Sequence, residues 1–140
     1  MEYNTVQKKA LIAFLKENNI PQSENLQVFE YLYDIPEYMA AADILITRCG
    51  ALTIAEIACM GKASILIPSP NVAENHQYHN AMTLANRGAA VVLEEKDMEE
   101  NTLTDKVKEL LSNKETLETM GKAAKDGAYI DANERIYRAL

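Results

Sequence analysis

Positive charge is scarce in this 140-residue sequence, where 14 lysines and arginines face 21 aspartates and glutamates, giving a formal net charge of −7. A protein that binds nucleic acid needs a basic face to neutralise phosphates, so this composition argues against that class of partner. The same charge argues against direct binding to an anionic membrane surface. The sequence also lacks any apolar run near the roughly 18 residues that a membrane-spanning helix requires.

Cysteine and histidine are equally rare. The two cysteines, Cys49 and Cys59, occur in a chain whose polar N-terminus has no apolar core of a secretory signal. We therefore expect free, space-filling thiols in a protein of the reducing cytoplasm. The two histidines, His76 and His79, have no third or fourth ligand at a usable spacing. A solvated helix start is favoured over a metal pair, and we predict no metal site.

Glycine is scarce as well, with five residues in the chain. The sequence contains no Walker loop and no kinase signature. Ser64 and Ser69 lie outside any G-x-S-x-G context, and no nucleophile–base arrangement is visible. We therefore predict no catalytic residue and no cofactor for this chain.

What the sequence does contain is an alternation of short apolar runs with helical patterns, which is typical of an α/β fold. The predicted strands are 26–32, 43–47, 64–68 and 89–93. The predicted helices between and before them are 5–18, 34–42, 51–60 and 74–87. Three further helices are predicted, one beginning at Thr104, one around Leu117 to Ala124, and one from Asp131 to Leu140. We predict a single domain over residues 1–140 with a Rossmann-like, doubly wound parallel sheet, in which 43–47 and 64–67 are the central strands.

The start of the chain departs from this pattern, because a doubly wound nucleotide-binding domain ordinarily opens with a strand and a glycine-rich turn. Here a helical pattern comes first, and we expect a sheet truncated at its N-terminal side. A missing strand would leave unpaired N–H and C=O groups along an exposed edge. We expect that edge either to pair with a second copy in a homodimer or to be covered by helix 5–18 or by residues near Leu140.

The most informative stretch is 43–56, where a buried strand ends, Gly50 turns the chain and a helix begins. Ligands of open α/β sheets bind beyond the carboxyl ends of strands, and a helix N-terminus there suits a phosphate. Thr53 and Glu56 share one helix face, about 4.5 Å apart along the axis, and a carboxylate at the second position could accept both hydroxyls of a ribose. The same Thr-x-x-Glu spacing is a capping box that needs no ligand, and spacing alone favours it.

A second polar stretch, 68–81, leads from a strand into a helix that opens with amides, imidazoles and a phenol. Such side chains can hydrogen-bond to the several hydroxyls of a sugar. The alternative is again a solvated helix start with one inward histidine.

Three segments carry a resemblance to a known family: Arg48-Cys-Gly-Ala-Leu-Thr-Ile-Ala-Glu56, Gly61-Lys-Ala-Ser-Ile-Leu-Ile-Pro-Ser-Pro70 and Asn75-His-Gln-Tyr-His-Asn-Ala81. They resemble the MurG family of bacterial transferases, closely over 26–93 and loosely in the flanks. That family moves N-acetylglucosamine from its UDP ester onto undecaprenyl-pyrophosphoryl-muramyl-pentapeptide. The resemblance implies a GT-B glycosyltransferase of two Rossmann-like halves, of which this chain is the C-terminal, donor-binding half.

The resemblance also implies the roles of individual residues. The backbone near Leu32 would meet the uracil, and Glu56 would hold the ribose. The remaining substrate-binding residues would be Ala51, Leu52 and Thr53 at the diphosphate, and His76, Gln77 and Asn80 in the donor-sugar motif. The acceptor half, which would carry the lipid-linked acceptor site and the catalytic base, is absent from the sequence, so we expect no turnover by this chain alone. The intact protein would be cytoplasmic and peripheral on the inner face of the cell membrane.

Three features depart from the family pattern: Cys49 replaces a small serine or alanine, Ala63 replaces a common proline, and the glycine-rich loop is missing. Two other interpretations therefore stay open. One is the donor subunit of a split, two-subunit glycosyltransferase, which should begin with a glycine-rich strand and turn. The other is a non-enzymatic nucleotide-binding or interaction module.

Overall fold

The computed structural model describes residues 13–19, 24–29, 31–70 and 75–139, with side chains described as far as residue 128. The chain divides into two compact units, Met1–Tyr38 and Met39–Leu140. No helix in the described ranges combines the length and the apolar character needed to cross a membrane.

In the first unit, residues 13–17 are helical, and the rest of the predicted helix up to residue 12 lies outside the described residues. The predicted strand 26–32 is wrong for residues 26–29, which form no ladder, while Tyr31 makes one isolated bridge. A strand persists only where a neighbouring strand satisfies its backbone groups, and residues 26–29 pair with no strand in the described part of the chain. Helix α1 (Ile35–Ala41) confirms the helix predicted for 34–42.

The second unit contains a parallel sheet of three strands, β1 (Leu45–Thr47), β2 (Ser64–Leu66) and β3 (Ala90–Val92), in the order β1-β2-β3. The register pairs Leu45 with Ser64 and Ser64 with Ala90. This sheet confirms the predicted parallel α/β fold, with three strands instead of four in the part of the chain that the structure describes.

The central strand is β2, all of whose residues are buried. The prediction that 43–47 is also central is wrong within the described sheet, because β1 pairs only with β2 there. Ile46 of β1 is 40% exposed, as expected for a residue on an edge strand. The homodimer through this edge stays a prediction.

Two helices connect the strands, α2 (Ala51–Met60) from β1 to β2 and α3 (His76–Ala85) from β2 to β3. The predicted bounds of α2 are confirmed. Gly61 ends α2 with φ 66°, a left-handed conformation that costs glycine little because it has no Cβ. Its N–H donates to the carbonyl of Ala58, which closes the last turn.

The remaining helices are α4 (Thr102–Leu111) and α5 (Lys114–Ala139), which follow a short 3₁₀ turn at Glu95–Asp97. Leu110 and Met120 pack with Ile65 of β2 and with Ala63 in one buried cluster. The sequence predicts two helices where α5 is one. Gly127, in the turn before the capping-box pattern from Asp131 to Glu134, lies inside α5 without ending it, because an existing helix propagates more easily than a new one nucleates.

Candidate functional site

The candidate site lies beyond the carboxyl ends of β1 and β2, where the chain enters α2 and α3. Parallel strands direct these ends to one edge of the sheet, and open α/β sheets bind ligands there. The two loops concerned are 48–50 and 67–75, of which residues 71–74 lie outside the described residues.

Helix α2 begins at this edge without a side-chain cap. Gly50 is its N-cap residue, with extended angles of φ −63° and ψ 151°, and no side chain caps the helix there. The carbonyl of Gly50 accepts the first bond, from the N–H of Ile54 at 3.0 Å. Helical geometry therefore leaves the N–H groups of Ala51, Leu52 and Thr53 without partners inside the helix, and the positive end of the helix dipole lies among them.

This start of α2 bears directly on the capping-box alternative. A capping box requires its threonine at the N-cap, but Thr53 is the third residue of the helix. Glu56 therefore does not reach back to cap the helix, and its side chain is exposed. Thr53 and Glu56 remain one turn apart on one face of α2, with Leu52 beside them 74% exposed.

Gln77, on the first turn of α3, joins the two loops. Its side-chain oxygen accepts one hydrogen bond from the N–H of Cys49 at 3.1 Å and another from the N–H of Ser69 at 2.8 Å. Because both partners are donors, the atom between them must be the amide oxygen. The NH₂ group of Gln77 is then the part of this side chain that can meet a ligand.

Asn80, one turn further along α3, also contacts Cys49. Its NH₂ group donates to the carbonyl of Cys49 at 3.0 Å. Cys49 directly precedes the N-cap of α2, so α3 holds the start of α2 by two hydrogen bonds to a single residue. The structure thus brings Gln77 and Asn80 together with the N-terminus of α2.

His76 and Leu32 are also among the predicted site residues. His76 is exposed on the first turn of α3, after Asn75 in a left-handed conformation with φ 57°. Leu32 is half-buried and belongs to the first unit. In the part of the chain that the structure describes, no group of three or more His, Cys, Asp or Glu side chains is placed to hold a metal ion.

Sequence reasoning gave no role to Arg48, which links the carboxyl ends of all three strands. Its guanidinium donates to the carbonyls of Ile67 and Pro68 at 3.3 and 3.4 Å and forms an ion pair with Glu95. A cavity of about 380 Å³ lies next to this arginine, lined by Pro68, Ser69, Pro70, Asn75, Glu94, Glu95 and Lys96. The signal that could have revealed this role is an arginine directly after an apolar strand pattern.

Cys49 is fully buried, and burial raises the pKa of its thiol to about 11, although the neighbouring Arg48 guanidinium offsets part of that rise. The thiol is therefore neutral at physiological pH and serves as a space-filling group. As pH rises above about 9, the cysteine ionises in the unfolded chain before it does in the folded one. The contribution of Cys49 to stability is thus complete below that pH and declines as pH approaches 11.

Iodoacetamide at pH 8 is expected to alkylate Cys59 and to spare Cys49 in the folded protein. Cys59 is exposed, whereas Cys49 is buried and keeps its proton. Tandem mass spectrometry of the digested protein reports each site, and labelling in urea, where both thiols should react, is the control. Equal labelling of the two thiols without urea would contradict the burial of Cys49.

The model of the glycosyltransferase family 28 C-terminal domain matches residues 2–136. Several curated relatives bear the name UDP-N-acetylglucosamine–N-acetylmuramyl-(pentapeptide) pyrophosphoryl-undecaprenol N-acetylglucosamine transferase. The relative from Thermoanaerobacter sp. (strain X514) is 42% identical over 134 residues, which is 96% of this chain and 37% of the relative. The relative from Oenococcus oeni is 46% identical over 118 residues, covering 84% of this chain and 32% of the relative.

One solved structure is also similar to this chain. The crystal structure of Acinetobacter baumannii MurG matches with a TM-score of 0.74 and 29% identity, over 89% of this chain and 35% of that one. The chain therefore spans about a third of the length of the proteins that it matches.

Proposed function

The chain belongs to the glycosyltransferase family 28 C-terminal domain family, and we propose that it binds the donor UDP-N-acetylglucosamine for transfer of the sugar to a lipid-linked acceptor. Its fold is that of the C-terminal, Rossmann-like half of a GT-B glycosyltransferase. The observation that carries the proposal is the uncapped N-terminus of α2 at the carboxyl edge of the sheet, with an exposed carboxylate one turn further along.

Each part of the donor has a complementary group. The N–H groups of Ala51, Leu52 and Thr53 bind the diphosphate, since backbone donors and the helix dipole both favour negative charge. The Glu56 carboxylate accepts hydrogen bonds from the two ribose hydroxyls. On α3, the NH₂ group of Gln77 binds the N-acetylglucosamine.

Two further contacts complete the proposed donor site. His76, which is exposed on the first turn of α3, is the second side chain that hydrogen-bonds to the sugar hydroxyls. Backbone groups near Leu32 meet the uracil. No metal ion or cofactor enters this scheme, because helix N–H groups take the role of stabilising the departing phosphate.

The reaction proposed for the whole protein is direct displacement at the anomeric carbon of the donor. An acceptor hydroxyl forms the new glycosidic bond as the bond to UDP breaks, and a base removes the hydroxyl proton. The N–H groups of α2 stabilise the charge that develops on the leaving diphosphate. We assign the base and the acceptor site to the remaining length of such proteins, of which this chain spans about a third.

The proposed location is the cytoplasmic face of the cell membrane, with contact made by the portion outside this chain. The relatives are named for an undecaprenol-linked acceptor, which resides in a membrane. The present chain has a net charge of −7, which repels an anionic leaflet.

Calorimetry with UDP, UDP-N-acetylglucosamine and ADP tests donor binding. We expect both uridine nucleotides to bind and ADP, which shares the diphosphate, to bind more weakly. Absence of any heat with the uridine nucleotides would overturn the proposal. We also expect no transfer from radiolabelled donor to a lipid-linked muramyl acceptor, and transfer by this chain alone would show that it contains the base.

A further inference from the structure

The Arg48 guanidinium and the Gln77 side chain hold the two sides of one peptide group. The guanidinium donates to the carbonyl of Pro68 at 3.4 Å, and the N–H of Ser69, in the same peptide, donates to the Gln77 side-chain oxygen at 2.8 Å. We propose that Arg48 is a positioning residue, which fixes this peptide and thereby the Gln77 amide that binds the donor sugar. This inference rests on the proposed function.

The segment 68–70 reads Pro-Ser-Pro and has only one backbone donor. A proline has no N–H, so only Ser69 can donate, and its N–H is committed to Gln77. Backbone carbonyls are therefore the groups by which another element can hold this segment. The Arg48 guanidinium does so at the first of them, the carbonyl of Pro68.

The geometry of a peptide group turns these two contacts into a constraint on orientation. The Pro68–Ser69 peptide is trans, so its carbonyl and its N–H point in opposite directions within one plane. A donor on the carbonyl and an acceptor on the N–H therefore oppose rotation of that plane. The positive charge of the guanidinium strengthens the first of these hydrogen bonds.

Glu95 keeps the guanidinium directed at this peptide. Its carboxylate, on the 3₁₀ turn that follows β3, forms an ion pair with Arg48. Both side chains are about half exposed, and ion pairs at such positions contribute little to stability. The effect expected of Arg48 is therefore on the orientation of the peptide and not on the free energy of unfolding.

The Gln77 amide depends on this orientation because its oxygen lies between two N–H donors, those of Cys49 and Ser69. A reversed amide would place its NH₂ group against both donors, so the two donors together select the observed orientation. Without Arg48, the Ser69 N–H is free to turn away, and one of the two groups that oppose reversal is lost. Fewer molecules would then present the NH₂ group to the sugar, and binding would have to order the amide.

The decisive variant is Arg48→Met, which keeps an unbranched side chain and removes every donor. Lys106→Met is the matched control, because it removes the same charge and its ion pair with Glu109 lies within α4. Calorimetry measures the affinities for UDP-N-acetylglucosamine and for UDP. We expect the ratio of the first affinity to the second to fall about fivefold in Arg48→Met and to stay unchanged in Lys106→Met. Loss of charge cannot produce such a fall, since it weakens UDP, which shares the diphosphate, at least as much.

A double-mutant cycle tests whether Arg48 acts through Gln77. In a Gln77→Ala background, we expect Arg48→Met to leave the ratio of affinities unchanged, because no amide remains to be positioned. A further fall in that background would mean that Arg48 acts on the sugar by another route and would overturn the inference. An unchanged ratio in the Arg48→Met single variant would overturn it as well.

Glu95→Gln is an independent variant that keeps the arginine and removes its ion pair. We expect it to lower the same ratio about twofold, because the guanidinium is then less well directed at the carbonyl of Pro68. Should Arg48→Met fail to fold, this variant decides, and an unchanged ratio in Glu95→Gln would contradict the inference.

A measurement without ligand separates this inference from the proposed function. We expect Arg48→Met to shift the NMR resonances of the Gln77 side-chain NH₂ group and of the Ser69 amide, while Lys106→Met leaves them in place. Unmoved resonances would show that Arg48 does not position Gln77. If the parent protein bound neither ligand, the proposed function would fail, and with it the service of this contact to a sugar, even if the resonances moved as expected.

Discussion

The variant Glu56→Gln is expected to bind UDP-N-acetylglucosamine about 1–3 kcal/mol more weakly than the parent protein, the usual scale for hydrogen bonds to a charged group. Glutamine keeps the length of the side chain but replaces a charged oxygen with an NH₂ group, which cannot accept from a ribose hydroxyl. The melting temperature should hardly change, because Glu56 is exposed and Thr53 is not in the N-cap position that a capping box needs. Calorimetry and thermal denaturation of the same samples measure both quantities.

The matched control for this prediction is Glu118→Gln. Glu118 is also an exposed helical glutamate, on α5, and its replacement changes the net charge by the same amount. Equal losses of affinity in the two variants would indicate a general charge effect. A large loss of stability in Glu56→Gln with unchanged affinity would contradict the role at the ribose and favour a structural one.

Much of the site's framework could be predicted from local sequence. The bounds of α2 follow from an apolar strand pattern before Gly50 and from Gly61 at its end. Such signals are short-range: a strand of continuous apolar residues, a turn residue and a left-handed cap all act within a few positions. For the same reason, the motif of Thr53 and Glu56 could be assigned to a helix N-terminus at the ligand-binding edge.

The contacts that organise the site could not be predicted in this way. Gln77 meets Cys49 across 28 positions of sequence, and Arg48 meets Pro68 across 20. Hydrogen bonds over such separations leave no mark on hydrophobic periodicity, since they depend on how strands and helices are arranged in space. A capping box can likewise be recognised from spacing, but only the observed first residue of α2 shows that Thr53 lies inside the helix.

The largest loss of stability is expected for Gly121→Ala, on the face of α5 that meets the end of α2. A Cβ at this position would collide with the carbonyl oxygen of Gly61, a backbone atom that cannot rotate away as a side chain does. Gly61 is itself fixed in the left-handed cap of α2, so the two helices would have to move apart. Overpacking of this kind costs about 1–3 kcal/mol, and the clash with backbone indicates the upper end of that range.

Gly127→Ala, six residues further along the same helix, is the control that makes this prediction specific. Alanine gains about 1 kcal/mol over glycine inside a helix, and this gain applies to both variants. At Gly127, however, the new Cβ would meet the guanidinium of Arg87, the flexible end of a long side chain that can move. We therefore expect urea denaturation to give a net loss of about 2 kcal/mol for Gly121→Ala and a change within about 1 kcal/mol for Gly127→Ala. If Gly121→Ala were as stable as Gly127→Ala, the close approach of α5 to Gly61 would be contradicted, because helix propensity alone would then account for both variants.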